Sequence, residues 1–458
     1  MKTTNQLKKL TLLLAVLFMA YSCNNDDDDD TTEPQSTTIT ALASDSGDLS
    51  ILVAALQRAG LDTTLDTAGS FTVFAPTNTA FENFLADNNI SALEEIPVDV
   101  LTQVLLNHVI AGEVFSTSLS TGYGNTLATK PGTGENLSIY INTSNGVKLN
   151  GVSNVAQADI DASNGVIHIV DAVIGLPNIV DHALANSDLS SLVGALTSGG
   201  NTTFTTLLST PGDFTVFAPN NAAFASFTTT NDIPSVLANH VIPGATAIST
   251  GLSNSYVNTA AMFNDTMNAL SMYINTDNGV TINGNSSVIA ADIVATNGVI
   301  HVVDEVIDLP SIVDFALADP TFETLVAALT RSDLTFDYVT TLSTPNGTDP
   351  APFTVFAPTN AAFGDLLTEL GYEGLGDIDE PTLKATLDMH AVAGLNVLAG
   401  DLTDNFAVPT LGGNITANVT GGATLTDAND RVSNIIVVNV QAANGVIHAI
   451  DKVILPQL

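Results

Sequence analysis

Six of the seven histidines in this 458-residue chain stand in two recurring contexts. His108, His240 and His390 each close an apolar run, in NHVIAG, NHVIPG and MHAVAG. His168, His301 and His448 sit inside NGVIHIVDAVI, NGVIHVVDEVI and NGVIHAIDKVI, and only His182 stands apart. Paired imidazoles are the raw material of metal sites and of general acid–base catalysis. The spacing argues against both. Side chains alternate along a strand, so His168 and Asp171 point to opposite faces and do not pair directly. His108 and His168 lie 60 residues apart and meet only through the fold, and no third ligand recurs beside them. No HExxH, GxSxG, P-loop or Rossmann fingerprint is present. A requirement of the fold repeats in every copy, whereas an active site need not. The six histidines therefore read as buried, hydrogen-bonded residues that hold a turn or a helix end. No catalytic, cofactor-binding or metal-binding residue is assigned, and the chain is read as no enzyme.

Carboxylates are plentiful, 48 Asp and Glu against 10 Lys and Arg, but unpatterned. No stretch fits the DxDxDG calcium loop. Asp427-Ala428-Asn429-Asp430 leaves two readings open, a weak divalent-ion loop or solvated surface charge. The Asn142, Asn201 and Asn285 sequons match glycosylation acceptors, but the bacterial type of the N-terminal signal argues against eukaryotic N-glycosylation.

The only cysteine, Cys23, carries the remaining chemistry. Upstream of it stand Lys2, Lys8 and Lys9, then an eleven-residue apolar stretch, Leu10 to Ala20, interrupted only by Thr11. This is the layout of a secretory signal peptide. The run is too short to cross a bilayer core, which needs about 20 residues. Ala20-Tyr21-Ser22-Cys23 resembles the lipobox of bacterial lipoproteins, although Tyr21 is bulkier than usual at its position. That resemblance makes Cys23 a lipid attachment point; the other reading is an ordinary signal peptide followed by a free thiol. Asp26 to Asp30 repel one another and do not fold, so residues 23–37 read as a tether. It is either a plain spacer or, by resemblance to some outer-membrane lipoproteins, a surface-export signal. With one cysteine there is no intramolecular disulfide, and stability must come from packing.

The elements that position the histidines recur three times. FTVFAPTNTAF begins at Phe71, FTVFAPNNAAF at Phe214 and FTVFAPTNAAF at Phe353, each followed by its internal histidine and then by its NGVIH segment. From the first phenylalanine to the NGVIH asparagine is 93, 83 and 91 residues, and the middle copy is short between phenylalanine and internal histidine, 26 residues against 37 and 37. A period this long belongs to whole domains, each with its own core. The ordered set, FTVFAPTNxAF, then an internal histidine, then NGVIHxxDxVI, resembles the fasciclin (FAS1) domain, in three tandem copies. The resemblance implies an α+β unit, a β-sandwich or wedge of strands with helices packed along it.

The residues support the same outline. Leu49, Leu52, Val53 and Leu56 fall on one helical face, and SSLVGALT and ETLVAALT repeat the pattern. FTVF is aromatic and β-branched, and Ala-Pro stops it. Thr77/Asn78, Asn220/Asn221 and Thr359/Asn360 are candidate helix caps. Asn-Gly signals a turn before NGVIHIV, which then runs apolar on both faces as a strand covered on both sides. The reading divides the chain into a signal peptide 1–22, a lipidated tether 23–37, and domains 38–176, 177–309 and 310–458. Linkers of a few residues with a proline predict a semi-rigid rod, an elongated monomer.

Removal of the signal segment leaves seven basic residues against 48 acidic ones, a net charge of −41. A nucleic acid partner is excluded, because a phosphate backbone needs clustered Lys and Arg. Direct docking on anionic lipid is disfavoured too, which leaves the lipid on Cys23 as the membrane contact. The resemblance implies adhesion to a cell-surface or matrix protein from an outer-membrane, surface-exposed position. The alternative is a surface lipoprotein that binds glycan. Tyr140 and Tyr273, repeated in LSIYIN and LSMYIN, are its candidate aromatic platforms.

Overall fold

The structure, a computed structural model, describes residues 37–457 apart from Ala68, Asn201 and Asp265. The signal peptide, Cys23, the acidic tether up to residue 36 and the Asn201 sequon lie outside the described residues.

Three α+β domains follow one another. In domain 1, helices Ile39–Asp45, Ser50–Ala59 and Asp62–Leu65 precede the strand Phe71–Pro76; helices Asn78–Asp87 and Val98–Leu106 follow it. Six further strands complete the sheet: Val109–Ala111, Gly122–Thr129, Asn136–Asn142, Lys148–Leu149, Ser153–Ala162 and Gly165–Val170. They form one continuous curled sheet, which a single pair, Ile110 with Thr126, closes into a barrel. Domains 2 and 3 carry the same seven strands in the same neighbour order, with this seam open.

At the heart of each sheet the FTVFAP strand lies parallel to the NGVIH strand, Phe71 beside Gly165, Phe214 beside Gly298 and Phe353 beside Gly445. Both strands are buried almost throughout. The glycine is needed for close approach. At Gly165, with φ +144°, a Cβ would fall 1.9 Å from the Phe71 carbonyl oxygen.

The asparagine before it has a larger role than the turn read from Asn-Gly. Buried Asn164 accepts from the Ile39 amide (2.9 Å) and donates to the Leu65 and Thr67 carbonyls (2.6 and 3.2 Å). It thereby ties the first helix to the end of the third. Asn297 and Asn444 make the same three bonds in their own domains.

Of the cap candidates, Thr77, Asn220 and Thr359 cap their own helices. Their neighbours act across helices. The Asn78 amide oxygen accepts from Ile51 N–H (2.9 Å) and its NH2 donates to the Gly47 carbonyl (2.9 Å). Asn221 and Asn360 do the same for the matching helices.

The connections that differ most between copies, 86–98 and 228–233, are exposed loops by sequence. The structure anchors much of the first. Arg58 donates to the Glu94 and Ile96 carbonyls (2.8 and 2.9 Å), and Ile96 joins the core. Arg331 holds Leu375 and Ile378 in the same way. The shorter domain 2 has neither the arginine nor the pinned segment.

Candidate functional site

The paired histidines are built into the domain interiors by two distinct hydrogen-bond patterns. His108, His240 and His390 stand at helix ends. Each Nδ1–H donates to the carbonyl four residues earlier, at Val104, Val236 and Thr386 (2.7 to 2.8 Å). Each Nε2 accepts an amide from the strand-exit segment, at Ile174, Ile307 and Ile454 (2.8 to 3.0 Å). A ring that donates at one nitrogen and accepts at the other is neutral with a fixed tautomer. Burial agrees with the geometry, pushing all three pKa values down to about 4.

His168, His301 and His448 use the other tautomer. Nδ1 accepts from the amides of Asp159, Asp292 and Asn439, and Nε2–H donates to the carbonyls of Val114, Ala247 and Val397. Each ring packs on the second phenylalanine of FTVF, at Phe74, Phe217 or Phe356, with centroids 5.4 to 5.6 Å apart. The buried threonine of the same motif grips the same segment. Thr72 Oγ1 donates to the Gly112 carbonyl and accepts from Val114 N–H, both at 2.8 Å. Burial lowers the pKa of His301 and His448.

One arrangement has the membership of a hydrolase triad. Ser116 Oγ donates to Asp159 at 2.5 Å, and Asp159 Oδ1 lies 3.8 Å from His168 Nδ1; Ser249, Asp292 and His301 repeat it. The order is wrong for nucleophilic catalysis. The serine donates to the carboxylate, not to an imidazole able to take its proton. His168 is fully buried and commits both nitrogens to the backbone. The bonds from Ser116 hold the Asp159 carboxyl below its usual range, as an anion that accepts and does not shuttle protons. Asp159, Asp292 and Asn439 all adopt positive φ at a bulge in the long strand. Domain 3 replaces the serine and the carboxylate by Ala399 and Asn439, joined through a backbone amide (2.8 Å). This recurring feature closes a loop over a bulge. Among the described residues no group of three or more His, Cys, Asp or Glu could hold a metal ion. Asp427 is turned inward, accepting from Asn429, Arg431 and Leu455 amides.

Tyr140 and Tyr273 are not sugar platforms. They are only 3% and 4% exposed, because each lies at a domain junction. Tyr140 packs against Tyr123 with the rings tilted (4.9 Å), and Tyr123 meets His182 of domain 2 edge-on (5.6 Å). Tyr273 packs against Tyr256 with the rings tilted (4.8 Å), and Tyr256 meets Phe315 of domain 3 (5.5 Å). Tyr273 is part of the buried cluster of domain 3 itself, beside Ile312, Phe315 and Val440. Each junction adds a buried serine across which the sheets bond, Ser138 accepting from Val294 N–H (2.9 Å) and Ser271 from Gln441 N–H (3.0 Å). At the first junction the almost fully buried Lys130 also pairs with Asp213 at 2.6 Å. Neither tyrosine nor serine occurs in the matching hairpin of domain 3, Phe406–Thr410 with Gly413–Asn418.

Sequence reasoning missed the junctions because it weighed Tyr140 and Tyr273 as surface aromatics. The usable signal was that they recur at the same place in LSIYIN and LSMYIN. At the second junction Tyr256 O–H donates to the buried Asp319 carboxylate (2.9 Å). Tyr256→Phe is expected to weaken this junction by about 2 kcal/mol, the value of a hydrogen bond to a charged group. It would be read as a lower melting temperature for the coupled unfolding of domains 2 and 3. Tyr372→Phe, at a tyrosine 41% exposed, is the control with no expected change.

The Fasciclin domain family model matches residues 47–177, 187–310 and 320–456. Over 137 residues the chain is 39% identical to protein sll1483 of Synechocystis sp., covering 30% of this chain and 72% of that protein. It is 30% identical to human periostin over 247 residues, covering 52% of this chain and 28% of periostin. To the pig transforming growth factor-beta-induced protein ig-h3 it is 28% identical over 250 residues, covering 52% of this chain and 35% of that protein. The matched part is thus about a third of the length of these two animal proteins. A solved FAS1 domain pair from the insect cell adhesion molecule Fasciclin I matches at 19% identity with a TM-score of 0.36, covering 57% of this chain and 97% of that one.

Proposed function

Because the chain belongs to the fasciclin domain family, with three such domains in tandem, we propose that it is a non-enzymatic adhesion protein of the cell envelope. Lipid on Cys23 holds it at the outer membrane, and the exposed faces of its domains contact a cell-surface or matrix protein. Fasciclin domains are known in cell-adhesion and matrix proteins. The observation that carries the reading is the pair of buried junctions, each with a tyrosine pair and a serine bond. They hold three copies of one scaffold in register, so weak contacts on separate domains act together through effective concentration. The recurring polar residues are committed to the fold, which leaves the surfaces where the copies differ to select a partner. In this proposal the chain works as an elongated monomer on its tether.

The test compares cells that carry the chain with a strain from which it is deleted. The expected result is that deletion reduces clumping or attachment and that re-expression restores it. Equal attachment of both strains would sink the proposal.

A further inference from the structure

Domain 2 encloses an apolar cavity of about 230 Å³. It lies between the helices Ile179–Ala185, Ser190–Leu196 and Thr203–Ser209 and the central strands. Its wall is formed chiefly by Leu189, Leu192, Leu196, Leu208, Val216 and Ile300. Leu184, which borders the space and is 64% exposed, marks where it reaches the surface. Domain 3 has the same space at only about 110 Å³.

The difference has a cause in the sequence. Phe322 stands in domain 3 where domain 2 has Leu189, and Val339 where it has Thr205.

The few polar groups of the wall are already used. Thr197 Oγ1 donates to the Val193 carbonyl (2.9 Å) and Thr205 Oγ1 to the Thr202 carbonyl (3.0 Å). His240 is bonded at both ring nitrogens. A water molecule needs two or more polar partners, and an apolar cavity of roughly 150 Å³ stays dry and accepts benzene. This cavity is larger, and the hydrogen-bond donors in its wall are already spent.

We infer that domain 2 binds a small apolar guest in this cavity, one aromatic ring or the end of an alkyl chain, with any polar group of the guest left at the Leu184 mouth. The test is methyl NMR of the full chain titrated with toluene and, separately, with octanoate. The expected result is saturable shifts confined to methyls of Leu189, Leu192, Leu196, Val216 and Ile300, with intermolecular NOEs to the same groups. Tighter binding of toluene assigns an aromatic guest; tighter binding of octanoate assigns an alkyl chain. The double variant Leu189→Phe with Thr205→Val imports the domain 3 side chains and is expected to weaken binding at least about tenfold, for lack of space. Absence of saturable shifts with both probes, or shifts that persist unchanged in a folded variant, would overturn the inference. If the variant does not fold, the wild-type NOEs decide, and NOEs only outside these methyls overturn it.

Discussion

Gly165→Ala is expected to destabilise domain 1 by about 4 kcal/mol or more, enough to unfold it selectively. The new Cβ would lie 1.9 Å from the Phe71 carbonyl oxygen and 2.7 Å from its nitrogen, both backbone atoms of the paired parallel strand. No side-chain rotation relieves such a contact, so the two central strands must separate. Their separation would also pull Asn164 from the three bonds that tie the first and third helices together. Gly60→Ala is the control. Its φ is +69° but its Cβ would meet nothing within 4 Å, so only left-handed backbone strain of about 1 kcal/mol applies. Urea unfolding resolved by domain checks both. Similar losses at the two positions would mean that the central pair tolerates separation.

Acid should unfold the second domain first. Burial pushes the pKa values of His108, His182, His240 and His390 from 6.5 to about 4. The unfolded chain therefore takes up a proton on each histidine near pH 6.5, while the folded chain does so only near pH 4. Stability is complete above 6.5, falls between 6.5 and 4, and levels off below. Each histidine contributes about 3 kcal/mol over that window. Domain 2 contains two of them, His182 and His240, together with His301, whose pKa burial also lowers, and so loses more than domain 3, with His390 and His448, or domain 1, with His108. Carboxylates held below their ordinary value, such as Asp213 beside Lys130, add their losses only below about pH 4, so the two effects separate. Hydrogen exchange at pH 7, 5.5 and 4.5 should show domain 2 opening first. His182→Phe, which copies Phe315, should remove part of its pH dependence and bring it close to that of domain 3. A stability unchanged from pH 7 to 4.5 would contradict neutral buried imidazoles.

Much of this was legible in the sequence because local physics and the fold agree. FTVF reads as a strand stopped by proline, and the structure places it at the centre of each sheet. The helical face of Leu49, Leu52 and Leu56 is buried as its spacing predicts. Non-local pairings were not legible. Nothing near Asn164 announces that its amide reaches Ile39, 125 residues away. Asn-Gly gives the local turn signal whether or not the side chain is used elsewhere. Tyr140 and Tyr273 carry no local mark of burial, since Tyr123 and Tyr256 cover one side of each and the following domain covers the rest. The smaller side chains of domain 2, Leu189 and Thr205 against Phe322 and Val339, were visible in the sequence, but the cavity they leave depends on packing in three dimensions.

The most direct test of the adhesion reading uses residues 38–458 alone. Beads coated with this protein are applied to cells of the producing strain and to their extracellular matrix, with albumin-coated beads as reference, and the force needed to detach them is measured. The account predicts retention well above albumin, and lower retention for beads coated with the Tyr256→Phe protein, whose domains are less firmly held in register. Retention equal to albumin on both surfaces would contradict it.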